Sequence, residues 1–153
     1  MMQDIPDLLD GLRRSPIILS EFIKNIPKNK LDERRGNGFW TIAEHASHLA
    51  QVQPMLFDRF DRFMNEDHPE FVPYIPGDDE DESDTPERMD MASALEQFEQ
   101  YRRKQLLLLE NTDDTIWQKA AKHHEYEQYS LYILTRHTLM HDHWHMYRME
   151  ELW

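Results

Sequence analysis

The sequence of 153 residues has no cysteine, only four glycines and no long apolar run. The absence of cysteine excludes disulfides, thiolate metal sites and cysteine nucleophiles, so a bound metal would need imidazole or carboxylate ligands. Because no apolar stretch approaches the roughly 20 residues that span a bilayer, no membrane segment or membrane partner is expected. The first residues lack the basic start and apolar core of a signal peptide, which indicates a cytoplasmic protein.

Positive charge is also scarce. The chain has 17 lysines and arginines against 30 acidic residues, which gives a formal net charge of −13 with neutral histidines. Its short basic runs at 34–35 and 102–104 are isolated from each other. So acidic a chain is repelled by nucleic acid, which is therefore not an expected partner. The length indicates one domain covering residues 1–153.

Apolar residues recur at helical spacing, and the pattern predicts an all-α protein. The first helical stretch is interrupted at Ser15 and Pro16, where the serine is a possible N-cap and the proline predicts a kink or split. The second stretch follows Thr41, which forms a capping-box pattern with Glu44. Pro54 lies inside the second stretch and is expected to kink it.

Two more helices follow a long connection. Residues 66–85 include three prolines and the acidic tract 78–82, which predicts a long solvated loop. Thr85-Pro86-Glu87 is a helix-start signal, and the last helix begins near Ser130 and continues to the end of the chain. Four long helices with a long acidic loop after the second predict a four-helix bundle, a fold that builds metal sites from inward-facing side chains.

Histidines are concentrated in the last helix, where four of them lie within nine residues. At about 100° per residue, His137, His141 and His145 share one stripe, whereas His143 points nearly the opposite way. The outer two of the stripe are about 12 Å apart along the axis, so one ion can take only an adjacent pair. His141 belongs to either pair, and the spacing leaves the choice between His137 and His145 open.

A second pair of histidines, His45 and His48, lies in the second helix. Periodicity favours His45, which lies near the centre of the apolar face, but does not exclude His48 at its margin. Such histidines are as consistent with hydrogen-bonded core residues as with metal ligands.

Two motifs carry a resemblance to a known family. Residues 40–49, WTIAEHASHL, are similar to the W-S-x-x-E-x-x-x-H-L signature that opens helix 2 in the DinB-like (DinB/YfiT) superfamily. Residues 141–148, HDHWHMYR, are similar to its late H-x-x-x-H-x-x-Q motif, with Arg148 at the glutamine position. The order of the helices and the long loop agree as well, over essentially the whole chain.

The resemblance implies a ligand set, namely His48, His141 and His145 around one divalent metal ion, with zinc, nickel, iron and manganese as candidates. This set replaces the preference for His45. Three imidazoles leave coordination positions open, which is typical of a catalytic site. The resemblance further implies a homodimer and a metal-dependent transferase or hydrolase acting on a small molecule, with a low-molecular-weight thiol as a possible substrate. The alternative is a non-catalytic metal-binding or stress-response module.

Two further residues are candidates for catalysis. Glu44 is one turn before His48 and is a candidate general base or hydrogen-bond acceptor for an imidazole, or only part of the capping box. Arg148 is a candidate to hold a substrate carboxylate or to pair with a buried acid such as Glu44, and we favour the ion pair.

Four aromatic residues could line a pocket or simply belong to the core. They are Trp40, Phe57, Trp144 and Tyr147.

Overall fold

The computed structural model describes residues 2–73 and 85–153, so the acidic tract and most of the predicted loop lie outside the described residues. The elements in chain order are α1 (Ile5–Lys24), α2 (Lys28–Leu31), α3 (Ile42–Gln51), α4 (Gln53–Asn65), β1 (Glu70–Phe71), α5 (Met91–Glu110), α6 (Asp114–Trp117), β2 (Ala120–His123), β3 (Tyr129–Ser130) and α7 (Leu131–Leu152). None of the described helices has the length and hydrophobicity that crossing a bilayer requires.

Four rods form the bundle: α1, the α3–α4 pair, α5 and α7. Helix α1 packs against α5 and α7, and α3 also packs against both, while α4 packs mainly against α5. The predicted four-helix bundle is therefore confirmed. Helices α1 and α7 run in the same direction, because Tyr132 donates a hydrogen bond to Asp4 at 2.8 Å near both N-terminal ends. Further along both helices, Gly11 packs closely on Leu139: a Cβ atom added at Gly11 would lie 2.9 Å from the Cδ2 atom of Leu139.

Helix α1 continues unbroken through Pro16, so the helix is not split there, and the predicted kink stays a prediction. Ser15 is not an N-cap, since its hydroxyl donates to the Gly11 carbonyl at 3.1 Å within the helix. Proline has no N–H for the carbonyl four residues earlier. That carbonyl, of Leu12, accepts a hydrogen bond from the Arg102 guanidinium at 2.9 Å instead. A side chain from α5 thus satisfies the group that Pro16 leaves free.

The second rod does break near Pro54, as predicted. Helix α3 ends at Gln51 and α4 begins at Gln53, with Val52 capping both and the proline in the first turn of α4. Because Pro54 has no N–H, it cannot donate to the Ala50 carbonyl four residues earlier. That carbonyl accepts a hydrogen bond from the Gln97 side-chain amide at 2.9 Å instead. The Gln53 amide likewise donates to the Leu49 carbonyl at 2.7 Å. The break is therefore hydrogen-bonded on its inner side.

Helix α5 begins at Met91 and not at the predicted Thr85–Glu87 signal, which is a correction. Its N-cap is Asp90, whose carboxylate accepts from the Ser93 N–H at 3.0 Å. Side chains of α3 bind the backbone just before it: Gln51 donates to the Glu87 carbonyl, and the Met89 N–H donates to Ser47. These contacts use backbone groups of 87–89 that a helix would need.

A small sheet, which the sequence did not predict, lies beside the bundle. Strand β1 pairs parallel with β2, with Phe71 opposite His123, and β2 pairs antiparallel with β3, with Ala121 opposite Tyr129. The strands are two to four residues long. Strand β3 runs directly into α7, so the sheet places His123 and Tyr129 next to the first turns of that helix.

The predicted capping box fixes the start of α3. The Thr41 hydroxyl accepts from the Glu44 N–H at 3.1 Å, and the Glu44 carboxylate accepts from the Thr41 N–H at 2.9 Å. We expect Thr41→Ala to lower the free energy of unfolding by about 0.5–2 kcal/mol, the usual effect of a lost N-cap. Urea unfolding followed by circular dichroism measures it. Thr41→Ser keeps the hydroxyl and is the matched control; an equal loss in both variants would contradict the role of the cap.

Candidate metal centre

Three histidines from two helices meet inside the bundle. His48 of α3 lies against His141 and His145 of α7, and one ring nitrogen from each lies within 4.8 Å of the other two. The Nε2 atoms of His48 and His141 are 3.2 Å apart. We call these three residues the histidine group.

The spacing within the group suits a single ion. Two nitrogens bound at about 2.0–2.1 Å with tetrahedral geometry lie roughly 3.3 Å apart. The 3.2 Å between the His48 and His141 Nε2 atoms is close to that value, although a hydrogen bond between the rings has the same length. Three imidazoles without thiolate or carboxylate form a donor set that suits zinc, nickel or iron.

The surroundings of the group favour the neutral form of all three rings, of which His48 and His145 are buried and His141 is half-buried. Burial, with the neighbouring His141 and His45 rings, lowers the pKa of His48 from 6.5 to about 4. Burial and the surrounding histidines lower the pKa of His145 to about 2. Burial also lowers the pKa of His141, against the opposing effect of Asp142. Neutral imidazole is the form that binds metals, so no proton has to be removed before an ion enters.

The Nδ1 atoms of His141 and His145 differ in their hydrogen-bond partners. The Nδ1 atom of His145 lies 2.9 Å from Nδ1 of His45, which is also buried. The Nδ1 atom of His141 is buried and has no hydrogen-bond partner among the described residues. Unsatisfied buried polar atoms are uncommon in folded proteins and often mark functional sites.

Two tryptophans enclose the group on the side of His145. The Trp40 ring stacks on His145 with a centroid distance of 5.7 Å and an interplanar angle of 13°, and it also contacts His48. The Trp144 ring meets His145 edge-on at 4.8 Å. Both therefore line the site, as the sequence allowed. Tyr147 is 65% exposed, whereas Phe57 packs against Tyr101, and neither lines the cavity described next.

A cavity of about 450 Å³ opens onto the group. Besides the three histidines and the two tryptophans, its wall includes Val52 between α3 and α4, apolar residues of α4 and α7, and a set of polar or aromatic residues. This set comprises Arg59, His123, Glu125, Tyr126, Tyr129, His137 and Thr138. A volume of this size is typical of small-molecule sites.

The structure separates the two alternatives that spacing left open. His145, not His137, shares the group with His141, and His137 packs against Tyr126 at 5.2 Å on the cavity wall. On α3, His48 belongs to the group and His45 lies behind His145.

Glu44 and Arg148 are not paired with each other, so the favoured ion pair is wrong. The Glu44 carboxylate is bound by Arg34, with one contact at 3.1 Å, and by the Thr41 backbone. Arg148 pairs with Glu151 at 2.6 Å one turn further along α7. A catalytic role for either residue stays a prediction.

Two features of the site were missed by sequence reasoning. One is the buried ion pair between Arg102 of α5 and Asp142 of α7, with contacts of 2.7 and 3.1 Å. Its signal was present, because Arg102 lies four residues from both Phe98 and Leu106 on the buried stripe of α5. The other is the part of the cavity wall that Tyr126 and Tyr129 supply, which depends on strand pairings too short to leave a sequence pattern.

A four-helix bundle with three histidines at one internal cavity defines a class of candidate metal-binding proteins. The DinB superfamily matches residues 12–149, so the chain belongs to that superfamily, as the motifs indicated. None of the curated proteins matches this chain. Among solved structures it is similar to YfiT from Bacillus subtilis, described as a probable metal-dependent hydrolase with an unusual four-helix bundle topology. The TM-score is 0.83 at 20% identity over 99% of this chain and 87% of the other, which shows a shared fold.

Proposed function

We propose that this protein is a divalent-metal-dependent enzyme that acts on a small molecule, with His48, His141 and His145 as the metal ligands. The observation that carries the proposal is a cluster of three imidazoles, two buried and one half-buried, at the wall of a 450 Å³ cavity. Three protein ligands leave a coordination position free for a reactant, which distinguishes a catalytic from a structural site.

A hydrolytic or thiol-dependent transfer reaction fits this arrangement best. A divalent ion held there supplies Lewis acidity and activates an oxygen or sulfur nucleophile. The description of YfiT as a probable metal-dependent hydrolase supports the hydrolytic choice. Trp40 and Trp144 cover the His145 side and limit the approach of water there. Arg59 and His137 offer polar contacts for a substrate on the cavity wall.

We further propose that the ion is zinc, nickel, iron or manganese and that a low-molecular-weight thiol is a possible substrate. We also propose that the protein is a homodimer in the cytoplasm. The homodimer draws support from large apolar side chains exposed on α1 and α7. These are Ile17, Ile18, Met140, Trp144 and Tyr147.

The function is tested by activity that depends on the metal. Metal-free protein is reloaded with each candidate ion and assayed on panels of esters, amides, phosphoesters and thiol acceptors. Because a catalytic metal supplies several kcal/mol, we expect one ion to raise turnover of a substrate by about 1,000-fold over the metal-free protein. His48→Ala should abolish that increase, and His143→Ala, on the exposed face of α7, should retain it.

A stoichiometrically bound ion without turnover on any panel would contradict the enzyme and support the alternative, a non-catalytic metal-binding module. Equal activity with and without the ion would contradict a metal-dependent reaction altogether.

A further inference from the structure

The contact between His45 and His145 constrains where their protons lie. Their Nδ1 atoms are 2.9 Å apart, a hydrogen-bond distance. A hydrogen bond between two imidazole nitrogens requires that one carries a hydrogen and the other offers a lone pair. Both rings are buried, with 4% and 3% of their surface exposed, so water does not readily replace either partner.

The direction of this hydrogen bond follows from the other nitrogen of His145. With Nδ1 occupied by His45, Nε2 is the atom of His145 left for an ion in the histidine group. A nitrogen that binds a metal cannot carry a hydrogen, so the hydrogen of the neutral ring must lie on Nδ1. His145 is then the donor and His45 the acceptor.

We infer that His45 is a positioning residue that accepts a hydrogen bond from Nδ1 of His145 and so directs its Nε2 toward the metal. This inference rests on the proposed metal site. Metal-bound histidines generally donate their second N–H to an oxygen acceptor, and here another imidazole takes that place.

The surroundings hold the two rings in this arrangement. Trp40 contacts His45 at 5.2 Å and stacks on His145 at 5.7 Å, while Trp144 contacts the same two rings at 6.4 and 4.8 Å. Both indoles therefore pack against both rings of the pair, and this packing favours the observed orientations.

No other described residue can take over the role of His45. Within residues 2–73 and 85–153, no other side chain from outside the group donates a hydrogen bond to, or accepts one from, a ring nitrogen of His48, His141 or His145. The nearby carboxylate of Glu44 is already bound by Arg34 and by the Thr41 backbone.

The acceptor also determines the charge of the site. Three neutral imidazole ligands and a neutral imidazole behind them add no formal charge, so the net charge of the site would be that of the bound ion. A carboxylate in the place of His45 would partly neutralise the ion and weaken it as a Lewis acid.

Zinc titration of His45 variants tests the inference. We expect His45→Leu to lower the affinity for Zn²⁺, measured by competition with a chromogenic chelator, by about 10–100-fold, as for other outer-shell partners. His45→Asn carries an oxygen near the position of Nδ1 and should lose less affinity than His45→Leu. His143→Leu, on the exposed face of α7, is the control and should bind as the wild type does.

Nitrogen-15 NMR of the zinc-loaded wild type provides a readout that does not depend on any variant. We expect a slowly exchanging hydrogen on Nδ1 of His145 and a metal-shifted Nε2. In His45→Leu the same hydrogen should exchange faster.

Two results would overturn the inference: a His45→Leu affinity within threefold of wild type in a folded protein, or an Nδ1 atom of His145 without a hydrogen in the zinc-loaded wild type. Thermal unfolding of the metal-free variants checks that they fold. If His45→Leu does not fold, the nitrogen-15 spectrum of the zinc-loaded wild type tests the inference alone. A wild type that does not bind zinc would instead contradict the proposed metal site, so the two failures are distinguishable.

Discussion

Replacing His141 with alanine is expected to lower the affinity for the divalent ion about as strongly as the loss of either other proposed ligand, and more than the loss of any other side chain. Its Nε2 atom lies 3.2 Å from that of His48, and its ring packs against His145 at 4.6 Å, so it contacts both other members of the group. Removing a ligand should exceed the roughly 10–100-fold effect of losing an outer-shell partner. Elemental analysis after dialysis and chelator competition measure this loss.

The same substitution should leave the fold intact. It removes a ring whose Nδ1 atom is buried without a partner, so part of the lost packing energy is offset. His143→Ala removes a histidine from the exposed face of the same helix and should retain wild-type metal content. Full metal content in purified His141→Ala would remove the basis of the metal site.

Breaking the pair between Arg102 and Asp142 is expected to cause the largest loss of stability. Both side chains are essentially inaccessible, at 1% and 0% exposure, and they form two hydrogen bonds. Asp142→Ala leaves a buried guanidinium without its counter-charge, and such losses typically cost about 3–5 kcal/mol. Urea unfolding of the metal-free protein measures the effect.

A double replacement separates the ion pair from packing. Arg102→Met combined with Asp142→Leu removes both charges and should recover part of the stability lost in Asp142→Ala, because buried pairs gain little over apolar residues of similar size. The recovery should be incomplete, since the Leu12 carbonyl loses the hydrogen bond from Arg102. Arg103→Met is the matched control. Arg103 is exposed and pairs with Glu99 on the helix surface, so its loss should change stability by less than about 1 kcal/mol. A small effect of Asp142→Ala would show that the buried charges are already compensated by other groups.

Local patterns were enough to predict the bundle and the candidate histidines, whereas the ligand set of the histidine group came from the family resemblance. The capping box at Thr41 gave the start of α3, and the i,i+4 spacing of His141 and His145 placed both rings on one face of α7. The choice of His48 over His45 came from the family motif, because both positions are buried and periodicity ranked them in the wrong order. Periodicity could not separate them, because the difference lies in a contact distant in the sequence: His45 contacts the Nδ1 atom of His145, whereas His48 belongs to the histidine group.

The features that could not be predicted depend on partners distant in the sequence. Pro16 does not split α1, and Arg102, from 90 residues away, binds the Leu12 carbonyl that the proline leaves free. Glu44 pairs with Arg34 from a preceding loop rather than with Arg148. In both cases an arginine forms the deciding contact, and the residues around it in the sequence do not indicate which group it binds.

The Arg102 guanidinium has a further mechanical consequence. It binds the Leu12 carbonyl of α1 and the Asp142 carboxylate of α7 while being anchored in α5, where its Nε donates to Gln105. The guanidinium of one residue thus connects three helices of the bundle next to His141. Sliding any one of these helices along the others would leave the buried guanidinium or the Leu12 carbonyl without a partner, so this contact resists such a movement next to the histidine group.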